Sequence, residues 1–228
     1  MNTYDIVKYW DDYLVEQHVG SELAVIIDYL KKQNKTNITY IDIGANCGKY
    51  YDVLSRYFTI DNCVMVEASI PLYDYLNIKF QNKQCVIYNK ILSDTDDMVN
   101  FADIDFSYIK ELGQNINLGL SKAYGCSNGS REQLSAGNFL TSYVLDAGIN
   151  NIDLIKIDTE NRDYHILKAM TPYISKFNNK PLICFEHNYH NDMSKDEAQN
   201  ILNNFCNNNN YNSINIDDIK WSSVFLCP

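Results

Sequence analysis

The stretch Tyr40-Ile41-Asp42-Ile43-Gly44-Ala45-Asn46-Cys47-Gly48 carries an apolar run into a glycine bend. A second stretch, Asp153-Leu154-Ile155-Lys156-Ile157-Asp158-Thr159-Glu160, ends a similar run in carboxylates. Short runs this continuously apolar are the pattern of parallel strands covered on both faces. In an open α/β sheet, ligands sit outside the carboxyl ends of such strands. The first stretch therefore predicts a small cofactor over a tight turn, and the second predicts acid/base or metal chemistry beside it.

Outward from these two segments, short apolar runs alternate with helical patterns. Strands are expected at Ile38–Ile43, Cys63–Glu67, Gln84–Ile91, Leu154–Ile157, Leu182–Glu186, Ser213–Ile216 and Ser223–Leu226. Helices are expected at Lys49–Tyr57, Ile70–Gln81, Arg162–Met170 and Lys195–Asn208. Such alternation builds a mostly parallel sheet with helices on both faces, and the two closely spaced last strands predict an antiparallel edge. Before this pattern, Ile6, Tyr9, Trp10, Tyr13 and Leu14, then Leu23, Ile26, Ile27 and Leu30, recur at helical spacing. Residues 1–36 are thus expected to be a helical segment packed on the core. Between about 101 and 140 the alternation lapses amid glycines and polar residues, the mark of a functional insertion on the substrate side.

A length of 228 residues suits one α/β domain, and 46% hydrophobic residues suffice for a full core. The balance of 29 acidic against 19 basic residues, net −10 with a pI near 4.7, argues against a phosphate-tracking surface and hence against a nucleic-acid partner. The seven cysteines are odd in number and none form a Cys-x-x-Cys pair, which predicts a reducing compartment without structural disulfides. No apolar run approaches the roughly 20 residues of a membrane span, so no membrane partner and a cytoplasmic location are expected. Abundant Asn, Ile, Lys and Tyr, with the run Asn207–Asn210, point to an AT-rich genome. If that genome is viral, the location is the host cytoplasm.

The bend reads Gly-x-Asn-x-Gly, not the Gly-x-Gly-x-x-Gly of dinucleotide sites, which disfavours NAD. A sulfonium ligand carries positive charge, which suits a carboxylate such as Asp42. About 20 residues beyond the bend, the second strand ends in Glu67, placed to accept both hydroxyls of an adenosine ribose. The third ends Leu92-Ser93-Asp94, with Asp94 near an expected adenine amino group. The expected S-adenosyl-L-methionine contacts are Asp42, Gly44, Ala45, Asn46, Gly48, Glu67, Ala68, Ser93, Asp94 and Asp158.

These residues resemble the FkbM-type methyltransferases. The likeness rests on Ile41–Gly48, Glu67, Leu92–Asp94, Leu154–Glu160, Leu167-Lys168-Ala169 and Ile183–His187, and it covers roughly Ile38 to Asn188. Two departures are Asn161, where the family has glycine, and Ala68, where it has proline. The resemblance implies a Rossmann-like class I methyltransferase domain over residues 37–228, S-adenosylmethionine as donor, and O-methylation of a sugar or glycan acceptor.

Methyl transfer to an alcohol is an in-line displacement that gains most from positioning, and a sugar hydroxyl also needs its proton removed. Asp158 and Glu160 share one face by strand alternation and are candidate catalytic groups. His187, next to Glu186, titrates near neutrality and is the candidate base. Magnesium on Asp158, Glu160 or Glu186 is a second, less favoured reading, and His187-x-x-His190 specifies no third ligand. His18 and His165 lie on helical patterns and are expected at the surface or in packing, and the tyrosine clusters Tyr50-Tyr51 and Tyr73/Tyr75 at core edges. Two other readings stay open: a catalytically inert methyltransferase-fold binding protein, and a methyltransferase for a non-sugar small molecule. The oligomeric state is open.

Overall fold

The computed structural model describes residues 5, 7–8, 21–103, 129–159, 162–186, 193–216 and 223–228. Helix α1 (Ser21–Lys32) leads into strand β1 (Asn37–Ile43), followed by α2 (Lys49–Leu54), β2 (Thr59–Val66), α3 (Ile70–Lys79) and β3 (Cys85–Tyr88). Next come three short strands, β4 (Ile91–Ser93), β5 (Met98–Asn100) and β6 (Ser130–Ser135). Helix α4 (Ala136–Phe139) continues as a π-helical turn over Leu140–Leu145. The remainder is β7 (Leu154–Ile157), α5 (Asp163–Met170), β8 (Leu182–Glu186), α6 (Lys195–Asn209), β9 (Asn212–Ile216) and β10 (Ser223–Cys227).

Seven strands form one sheet in the order β3-β2-β1-β7-β8-β10-β9. All neighbours are parallel except β10, which runs antiparallel to β8 and β9. The chain builds outward from β1 to β3, then returns to lay β7 on the other side of β1. The crevice of such a sheet opens where the order reverses, between β1 and β7. Both motif strands therefore lie at this switch, paired Asp42 to Lys156 and Ile43 to Ile157.

Strand alternation splits the core into two layers. On one face Ile41, Ile43, Ile155, Ile157, Ile183 and Phe185 pack under α4, α5 and α6. On the other, Tyr40, Met65, Leu154, Leu182 and Cys184 pack under α1, α2 and α3. The expected stripe Leu23, Ile26, Ile27 and Leu30 is the buried face of α1; of residues 1–20, only 5, 7 and 8 are among the described residues.

Two expectations need correction. The run Gln84–Ile91 is not one strand: β3 ends at Tyr88, and Ile91–Ser93 joins a separate sheet of order β4-β6-β5. The break falls at Asn89, whose side-chain amide donates to the carbonyl oxygens of Glu67 (2.8 Å) and Ala68 (3.0 Å) and turns the chain off the main sheet. The segment at 101–140 is also less irregular than its composition, because β6 and α4 occupy its last third. Residues 104–128 lie outside the described residues.

Candidate active site

The glycine bend after β1 is tied to β2 through its backbone. The N–H groups of Gly44 and Ala45 both donate to Val66 O (2.9 and 3.0 Å), and that of Gly48 donates to Ala45 O (2.8 Å). The Asn46 N–H donates to Glu67 Oε2 (2.7 Å). With these amides engaged, the bend presents no open nest for a pyrophosphate, in keeping with its departure from the dinucleotide spacing. Gly44 has φ +77°, and a Cβ there would lie 1.8 Å from the Asp158 carbonyl oxygen. The close approach that excludes a side chain at Gly44 is thus between the two motif backbones. The Asp158 N–H completes that seam by donating to Ile43 O (3.0 Å).

Beneath the seam lies a charged row on the α1-facing side of the sheet. Asp42 is fully buried, 0% exposed, and lies beside Lys156, its partner in register. Lys156 Nζ is 3.2 Å from Asp42 Oδ1 and 3.6 Å from Asp158 Oδ2, and donates to Gly44 O at 2.6 Å. Burial alone would lower the Lys156 pKa, but the carboxylates of Asp42 and Asp158 more than offset this, so the side chain stays an ammonium. Its charge lies 5.2 Å from the centre of the Tyr50 ring. Glu22 of α1 meets the Tyr50 hydroxyl and accepts from Cys184 Sγ. Asp42 therefore lies below the crevice, whereas the Asp158 side chain, 50% exposed, faces solvent.

Glu67 lies one residue past the end of β2, is 5% exposed, and has both its oxygens occupied. Oε2 accepts from Asn46 N–H, and Oε1 from Ser69 N–H at 2.8 Å. Burial lifts its pKa to about 7 even though these two amides and Lys156 favour the charged form. Around it, Arg131 of β6 donates to Ala68 O and to Asn89 Oδ1 (2.7 Å), with its guanidinium 5.0 Å from the centre of the Phe101 ring. Asp103 accepts from Ser69 Oγ (2.6 Å) and Ile70 N–H (3.0 Å), capping the start of α3.

Ser93 is buried, and Asp94 is tied to α5 by Lys168 Nζ (3.0 Å) and His165 Nδ1 (3.3 Å). Burial works against the Asp94 charge, but Lys168 and His165 win and hold its pKa below the usual carboxylate range. His165 is thus a partner of Asp94. Asp163, 0% exposed, accepts from Thr159 N–H (3.1 Å), while its other oxygen has no partner. Burial raises its pKa well above the ordinary value, with Asp158 adding to the shift. Glu160, Asn161, His187 and His190, like His18, lie outside the described residues. Among the described residues, no group of three or more His, Cys, Asp or Glu side chains is arranged to hold a metal ion. The six described cysteines are free thiols. No described helix is long and apolar enough to cross a membrane.

The crevice thus offers acceptors: the half-exposed Asp158 carboxylate, the carbonyl of Gly44, and Asn46 Oδ1, a buried oxygen with no partner. Such a set fits a ligand that brings hydroxyls and positive charge, as a sulfonium nucleoside does. Sequence reasoning gave no role to Lys156, Tyr50, Asn89, Arg131 or Asp163. For Lys156 a signal was present, since a lysine inside Leu-Ile-Lys-Ile must be buried and therefore paired.

No protein-family model and no curated protein matches the chain. Among solved structures, it is similar to methyltransferase FkbM from Methylobacillus flagellatus, with 12% identity, a TM-score of 0.52 and coverage of 84% of this chain and 44% of that one. The chain therefore spans less than half the length of that protein. It is also similar to a TehB-like SAM-dependent methyltransferase from Corynebacterium glutamicum (9% identity, TM-score 0.50, 99% and 97% covered). An rRNA methylase from Streptococcus thermophilus gives 7% identity, a TM-score of 0.51, and 92% and 97% covered. At such identities the likeness is one of fold. With a strand order that reverses at β1/β7 and an antiparallel β10, the chain has the Rossmann-like fold of the class I methyltransferases.

Proposed function

We propose that the chain is an S-adenosylmethionine-dependent methyltransferase that transfers a methyl group to a hydroxyl of a carbohydrate or glycosylated acceptor. The observation that carries this reading is the union, at the sheet's switch point, of a glycine bend with spent amides and a solvent-facing Asp158. The bound donor would supply an electrophilic methyl group on a positive sulfur. Gly44, Asn46, Glu67 and Asp158 would hold it, Glu67 through the Asn46 amide and any lone pairs left to a ribose. Asp158 is the first choice for contact with the donor or the reacting oxygen. His187 and Glu160 are proposed to take up the hydroxyl proton. The acidic net charge of −10 favours a neutral sugar over an RNA acceptor.

Calorimetry with S-adenosylhomocysteine tests the donor site. Saturable binding is expected in the wild type, and it should vanish in Glu67→Ala, which frees the Asn46 and Ser69 amides. Undiminished affinity in that variant removes Glu67 from the site. The acceptor is tested by offering labelled donor with nucleotide sugars, oligosaccharides and RNA. Label on sugar hydroxyls supports the reading, and label on RNA alone overturns the acceptor class. Donor binding with no transfer to any acceptor would favour the inert binding protein.

A further inference from the structure

Lys156 occupies a costly position. It is 3% exposed in a strand otherwise made of Leu and Ile, where a methionine of similar length would pack without losing hydration. Its ammonium meets three parts of the site: it donates to the bend (Gly44 O, 2.6 Å) and forms ion pairs with the strand beneath it (Asp42 Oδ1, 3.2 Å) and with the crevice-facing end of β7 (Asp158 Oδ2, 3.6 Å). Asp42 pairs with Lys156 in register, and Tyr50, braced by Glu22, covers the ammonium from the α1 side. Two carboxylates against one ammonium leave a negative charge, and the half-exposed Asp158 presents it to the crevice.

We propose that Lys156 is a positioning residue for the amino-acid end of the methyl donor. By holding the Gly44 carbonyl and the Asp158 carboxylate on one ammonium, it sets the spacing at which these two acceptors receive the donor's α-ammonium. This rests on the methyltransferase reading above. A carbonyl oxygen has two lone pairs and a carboxylate about four acceptor sites, so each serves Lys156 and a ligand together. The nucleoside end lies on the β2 side, where Glu67 and Asn46 are held by bonds of their own.

The test compares two probes by calorimetry: S-adenosylhomocysteine, and 5′-methylthioadenosine, which keeps the nucleoside and thioether but lacks the amino-acid end. Lys156→Met alone would leave Asp42 buried beside no cation, so the informative variant is Lys156→Met with Asp42→Asn, which removes both charges at similar volume. Losing one charged hydrogen bond is worth roughly tenfold or more in affinity. S-adenosylhomocysteine binding is expected to weaken by that factor while methylthioadenosine binding stays at the wild-type value. Unchanged affinity for both probes, or equal loss for both, overturns the role. If the double variant does not fold, Lys156→Arg reads the same split, because a planar fork cannot reproduce the spacing set by one ammonium. Wild-type affinity for S-adenosylhomocysteine in that variant likewise overturns it. A wild-type protein that binds neither probe instead refutes the methyltransferase reading itself.

Discussion

At Gly44 the two motif backbones touch with no room between them, and this is a testable quantity. A Cβ at 1.8 Å from the Asp158 oxygen, on a backbone with φ +77°, cannot be absorbed by a side-chain movement. Gly44→Ala is expected to cost at least about 3 kcal/mol in urea denaturation. Gly148 has φ +80° but nothing within 4 Å of its Cβ position, so Gly148→Ala should cost only the left-handed strain, about 1–2 kcal/mol. Equal costs would show that the seam yields. Glu67 makes a second prediction. Its pKa rises from 4.5 to about 7 on folding, so between those values the folded chain holds a proton that the unfolded chain releases. Its stabilising contribution is therefore complete below pH 4.5 and lost as pH climbs through about 7. Thermal melts should show the wild type gaining on Glu67→Gln at pH 5 and losing that gain by pH 8. Parallel curves would place the proton elsewhere.

Among the elements, those with strong internal periodicity were legible and those built by tertiary contacts were not. Strands β1, β7 and β8 read directly from apolar runs buried on both faces, and β7 and β8 match the expected bounds. Helix α6 announces itself through Ser194-Lys195-Asp196-Glu197, where Ser194 Oγ accepts from Glu197 N–H at 3.2 Å. Ser194→Ala should lower stability by about 1 kcal/mol, seen as a lower melting temperature without loss of donor binding. Strand β6, Ser-Arg-Glu-Gln-Leu-Ser, has no period to read. It exists because Arg131 reaches Ala68 and Asn89, and because Gln133 meets Thr95 and Asp97. The site divides in the same way. Its positions follow from strand ends, but the occupancy of Glu67 by amides and of Asp42 by Lys156 depends on packing that no local pattern records.

Across the molecule, stability should be graded from the switch point outward. Strands β1, β7 and β8 are flanked on both sides and covered by both core layers, whereas β3 and β9 are the sheet's edges, with Val86 and Ile214 exposed. Amide hydrogen exchange is expected to be slowest in the three central strands and fastest in β3 and β9. Fast exchange at Ile41 or Ile155 would contradict the paired core at the switch. The Lys156 bond to Gly44 spans 112 residues of chain. During synthesis, the bend leaves the ribosome long before the strand that completes it. A nascent protein therefore cannot close the seam between the bend and β7, or tie the Gly44 carbonyl to Lys156, until its second half has emerged and docked.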